Sequence, residues 1–152
     1  MVQSQDIAVV IAACHLLQSL APCTALYGVV DATAMAAALL RRVQHANVGV
    51  SAAAAAAVAA MLPSSGAVRE CAVAQLGMLI DLVTAPKSAG RSGALHVLCM
   101  LCSVDVDVRM QLASNKVLIK SLLKGADMYK KGSVDFESCA RLYIMLTGSN
   151  AA

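Results

Sequence analysis

The chain has no tryptophan and a single phenylalanine, and aromatic residues fill only 3% of its 152 positions. Without large rings the interior must be built from Ala, Leu, Val, Ile and Met, a set rich in strong helix formers. Nucleic acid is disfavoured as a partner, because bases lack rings to stack on and a net charge of +3 gives a weak field toward phosphates. Charge of either sign is scarce: 14% of residues are charged against 59% hydrophobic. That balance excludes a disordered chain and implies that much surface is buried within the fold or against a partner. Alternating strand patterns are missing too; "DVDV" at 105–108 is the one candidate and is too short to found a sheet. An all-α chain folding as one domain, 1–152, is expected.

Two spans carry no charged residue, 7–30 and 43–68, and each is long enough to cross a bilayer. The first is interrupted by His15, Gln18, Ser19, Pro22 and Thr24, the second by Gln44, His45, Asn47, Gly49 and a Pro-Ser-Ser-Gly break. Both therefore read as buried core segments. No targeting segment is expected from this stretch of sequence. "MVQSQD" is acidic where a secretory signal is basic, "SLAPC" at 19–23 has Pro where a lipoprotein box needs a small residue, and the first basic residue is Arg41. Six cysteines sit in apolar helical runs rather than loops, and no Asn-x-Ser/Thr acceptor occurs. These features favour a reducing intracellular compartment, cytoplasmic or mitochondrial.

What the sequence does contain is a repeat. "VRECAVAQLGMLIDLV" from Val68 aligns without a gap on "VRMQLASNKVLIKSLL" from Val108, at an offset of 40, with Leu39 and Leu40 one step earlier opposite Leu79 and Ile80. A Met-Leu pair closes each unit: Met61-Leu62, Met100-Leu101 and Met145-Leu146, spaced 39 and 45 residues apart. A helical period of about 40 residues is the signature of an α-solenoid, whose units cannot bury their apolar faces alone. The order "DVRMQLAS-NKVLIKSLLKG" then "SVDFESCARLYIMLTGS" resembles one armadillo or HEAT-type repeat, a short first helix, a Leu-rich second and a third ending in a small polar turn. The resemblance covers roughly residues 20–149 and consists of apolar positions. It implies a right-handed α-solenoid of about seven to nine helices, with units near 20–65, 66–104 and 105–149, that works as a non-catalytic scaffold or adaptor for other proteins. Armadillo proteins that bind extended nuclear-import peptides use groove Trp and Asn residues; this chain has no Trp and its Asn residues lie near helix ends, so that activity is not implied. In size and alanine-rich character the chain also resembles an all-helical kinetoplastid mitochondrial scaffold protein.

Helices are expected near 5–20, 22–30, 32–46, 51–62, 67–84, 89–103, 106–114, 116–129 and 134–147, some of them fused. Ser51 and Ser133 suit N-caps, Asp135 and Glu137 a first turn, Pro63 and Pro86 stops, and Gly148 a C-terminal cap.

Catalytic chemistry has little support. Cys99 and Cys102 form a C-x-x-C with His96 one turn earlier, but a zinc site needs a fourth ligand, and a thioredoxin-type motif needs a strand leading into a helix. Buried small hydrophobes are the expected reading, with a thiol or metal activity as an alternative. His15 beside Cys14 has no orienting acid nearby, and "SAGRSGAL" at 88–95 lacks the Gly-Lys-Ser/Thr ending of a phosphate loop. No H-E-x-x-H or G-x-S-x-G occurs, so the chain is read as a non-enzyme with no cofactor.

Binding chemistry is better represented. Residues 86–152 carry nine basic and five acidic residues against three and four in 1–85. Lys116, Lys120 and Lys124 recur every fourth residue opposite Leu118, Ile119, Leu122 and Leu123, with Lys130 and Lys131 following. This is a solvated face or a docking strip for an acidic partner or anionic lipid. In the Met-Leu register, Ala57, His96 and Arg141 form one row of the third helices and Ala53, Ser92 and Glu137 another. The alanine run "SAAAAAAVAAML" is expected to be a helix whose small residues either pack neighbouring helices or seat a partner helix or a second copy of the chain. The alternative to a scaffold is a membrane-associated adaptor, with an apolar first helix and a basic end facing a bilayer or a membrane complex.

Overall fold

Nine α-helices and no strand occupy the described part of the chain, which in the computed structural model is residues 2–21, 31–45, 47–85, 90–128 and 134–148. They are α1 (Val2–Leu20), α2 (Ala32–Val43), α3 (Val48–Met61), α4 (Gly66–Ala74), α5 (Leu76–Thr84), α6 (Arg91–Val104), α7 (Val106–Ala113), α8 (Lys116–Met128) and α9 (Val134–Gly148). The all-α expectation holds. The segment 22–30, expected to be helical, and Ser133 lie outside the described residues.

Local chemistry accounts for five of the starts. Asp31, Asn47, Ser65, Asp105 and Asn115 each accept a hydrogen bond from the backbone N–H three residues on, at 3.0–3.3 Å. Each satisfies one of the four donors that a helix N-terminus leaves open. The alanine helix thus starts at Asn47, not at Ser51: Ser51 lies one turn inside, is buried, and donates its hydroxyl to the Val43 carbonyl at 2.6 Å. Asp105, part of the candidate strand "DVDV", caps α7. The span expected as one helix over 67–84 breaks at Gln75, whose N–H bonds back to the carbonyls of Cys71 and Ala72 before α5 begins. Stops are equally local. α3 ends at Met61, two residues before Pro63, and Arg69 donates a side-chain hydrogen bond to the Leu62 carbonyl at 3.2 Å.

Packing follows two successions of neighbours. α1, α3, α6 and α9 pack each on the next, while α2 packs on α4, α4 on α5 and α5 on α8. The two successions meet where α2 packs on α3, α5 on α6 and α8 on α9, and α7 fills in against α6, α8 and α9. Starts recur: Gly66 and Val106 lie 40 residues apart, as do Leu76 and Lys116. Hydrogen bonds between helices keep a similar separation. The Cys71 thiol donates to the Thr33 carbonyl, Cys99 to Ser138 and Ser121 to Val83, spans of 38, 39 and 38 residues.

The buried residues form one cluster reaching from Cys14 to Leu146. Its largest fully buried side chains are eleven leucines and Met61, as the shortage of rings requires. Burial of each stabilises the fold by roughly 1.5–3 kcal/mol.

Candidate interaction face

α3, α6 and α9 are neighbours, so any residues they leave exposed on the same side form one surface. On α9, Glu137 and Arg141 are exposed and Met145 half-buried; on α6, His96 is exposed while Ser92 and Met100 are half-buried. The corresponding stripe of α3 is Ala52, exposed, with Ala56 and Ala60 half-buried. The rows are therefore Ala52–Ser92–Glu137, Ala56–His96–Arg141 and Ala60–Met100–Met145.

This corrects the sequence register on α3 by one residue. Ala53 is 5% exposed and Ala57 fully enclosed, so both belong to the packed interior and not to the exposed stripe. The Met-Leu pairs misled because Met61 is itself fully buried, whereas Met100 and Met145 sit at the surface; Met61 takes the place that Leu101 and Leu146 hold one residue later. Most of the alanine run faces inward. A Cβ added at Gly93 of α6 would lie 3.0 Å from the Ala55 Cβ and 3.1 Å from the Ser51 carbonyl, so small residues on both sides let α3 and α6 approach closely.

The polar part of the face lies between α6 and α9. His96, Cys99, Met100, Ser103, Arg141 and Met145 line a cavity of about 110 Å³. Burial and the Arg141 guanidinium both hold the His96 imidazole below its usual range, so it is neutral at pH 7 and Arg141 is the cation of the pair. Ser103 points its hydroxyl back to the Met100 carbonyl at 2.7 Å. Among the described residues no carboxylate pairs with Arg141. Met100 and Met145 served in the sequence only as repeat landmarks and Ser103 was not singled out, although their spacing from His96 and Arg141 along each helix carries the signal.

The thiols have a different character. Burial pushes Cys99 up to about 11 and Cys102 up to about 12, so both thiols are protonated at neutral pH. Cys99 spends its proton on the Ser138 carbonyl at 3.4 Å, joining α6 to α9. Cys14 is buried and pushed upward by that burial, with His15 exposed beside it. Among the described residues no three His, Cys, Asp or Glu side chains are grouped to hold a metal.

Lys116, Lys120 and Lys124 are exposed along α8, while Leu118 and Leu122 face the core. Leu123, expected on the apolar face, is half exposed at 50%. Lys130 and Lys131 lie outside the described residues. Among the described residues no helix is long and apolar enough to cross a membrane. No protein-family model, no curated protein and no solved structure matches the chain.

Proposed function

We propose that the chain is a non-catalytic scaffold that binds other proteins, built as an armadillo/HEAT-like right-handed solenoid of about three units. The observation that carries this reading is the set of surface rows shared by α3, α6 and α9, bare at Ala52 and Ala56 and polar at His96 and Arg141. A guanidinium flanked by two methionines, with no carboxylate partner among the described residues, offers a partner one charged anchor and adaptable apolar contact. The recurrence of helix starts 40 residues apart and the inter-helix hydrogen bonds of 38 and 39 residues support the repeat. The lysines of α8 add a second basic strip that suits an acidic partner.

Affinity co-purification with quantitative mass spectrometry tests the reading, comparing the native chain with Arg141→Glu and with Lys120→Glu. Partners lost from a variant that melts like the native chain support it; an unchanged partner set contradicts it.

A second reading is favoured by the exposed apolar side of α1, where Val9 and Leu16 are 67% and 60% exposed. It makes the chain a peripheral adaptor on an anionic membrane. Salt-sensitive co-sedimentation with phosphatidylserine vesicles is its expected result, and absence of binding at low salt removes it.

A further inference from the structure

α1 and α2 both pack on α3, but far less on each other. Between them runs an apolar groove of about 240 Å³, lined by Val9, Val10, Leu17, Met35 and Leu39 among others, with Arg42 its one charged lining residue among the described residues. Arg42 also lines an adjoining cavity of about 230 Å³ with Arg41 and His45. The greasy groove therefore opens onto a basic notch.

We propose that this groove seats an acidic amphipathic helix of a partner protein, with a carboxylate of that helix on Arg42; the proposal rests on the scaffold reading. Three observations select this occupant. First, the groove volume falls below the ~300–1,000 Å³ of a small-molecule pocket, so an occupant inserts a few side chains and lies over the rest. Second, the exposed apolar side of α1 is a seam: Val9, Ala13, Leu16 and Leu20 are spaced 4, 3 and 4 residues apart and all exposed, the spacing that a packing helix interdigitates with. Third, the charge is one-sided. Residues 7–30 contain no acid, with Asp6 and Asp31 bounding the stretch, and among the described residues neither Arg41 nor Arg42 makes an ion pair. A second copy of α1 pairing on this seam brings Asp6 as the only acid of its helix, so a foreign helix with several carboxylates is the better complement.

The test incorporates p-benzoylphenylalanine in place of Leu16 in the full chain, in cells that express it, and maps photo-adducts by mass spectrometry. The expected result is an adduct to a partner segment of helical apolar spacing that carries Asp or Glu. Arg42→Glu lowers its yield at least tenfold, and changing the mapped carboxylate to Lys restores it. Leu16 and Arg42 are both exposed, so an unchanged melting curve is expected for each variant. Adducts only to a second copy of the chain, only to lipid, or none at all overturn the proposal, as does a yield indifferent to Arg42→Glu. Partners that depend on Arg141 while giving no adduct from position 16 overturn the groove and leave the scaffold reading standing.

Discussion

Gly93 sets how closely α6 can lie on α3, because the Ala55 side chain and the Ser51 backbone stand where its Cβ would begin. A backbone carbonyl cannot turn aside as a side-chain end can, so Gly93→Val is expected to cost about 1–3 kcal/mol in urea unfolding. The neighbouring alanines divide sharply. Ala57→Glu buries a carboxylate in an enclosed site and is expected to cost more than about 3 kcal/mol, while Ala52→Glu, on the exposed stripe, should stay within about 0.5 kcal/mol. Equal costs at the two positions would refute the register. The thiols give a pH signature. Folding raises Cys99 and Cys102 from an ordinary value near 9.0 to about 11 and about 12. Their contribution is fully present below about pH 9 and is lost as pH rises through 11 and 12, because the unfolded chain releases these protons first. The melting temperature of the native chain should therefore fall above pH 9 more steeply than that of a Cys99→Ala, Cys102→Ala variant.

At the scale of helices, capping accounts for the boundaries more closely than hydropathy does. Ser65 caps α4 and Asp105 caps α7, 40 residues apart, through hydrogen bonds to Val68 and Val108. Ser65→Ala and Asp105→Ala are each expected to destabilise by about 0.5–2 kcal/mol in denaturant melts, and little change would argue that these helix starts are held by packing alone. The offset of 40, the helical class and the run of leucines that fills the core were legible because they reside in spacing and residue type. The register of α3 was not. An all-alanine stretch has no apolar stripe to mark which side faces inward, and only contact with Gly93 and Ser51 decides it. The break at Gln75 was hidden for a related reason. Apolar residues continue across it, and the hydrogen bonds that end α4 are made by its backbone.

Over the whole molecule, the shortage of charge implied surface held against something else, and two exposed surfaces are the ones proposed for it. One is the seam of α1 beside the groove, which the uncharged span 7–30 hinted at without revealing that only its inner side is packed on α3. The other is the α6/α9 part of the stacked face, whose members, His96 and Arg141, lie 45 residues apart in sequence and meet across one small cavity. The proposed scaffold uses the exposed row that these helices share, and the enclosed, protonated cysteines belong to its core. The most direct measurement is hydroxyl-radical footprinting of the free chain and of the chain with its co-purified partners. The account predicts that modification of His96, Met100 and Met145 falls severalfold in the complex while exposed Met110 of α7 stays reactive. Unchanged reactivity at all three α6/α9 positions would contradict it.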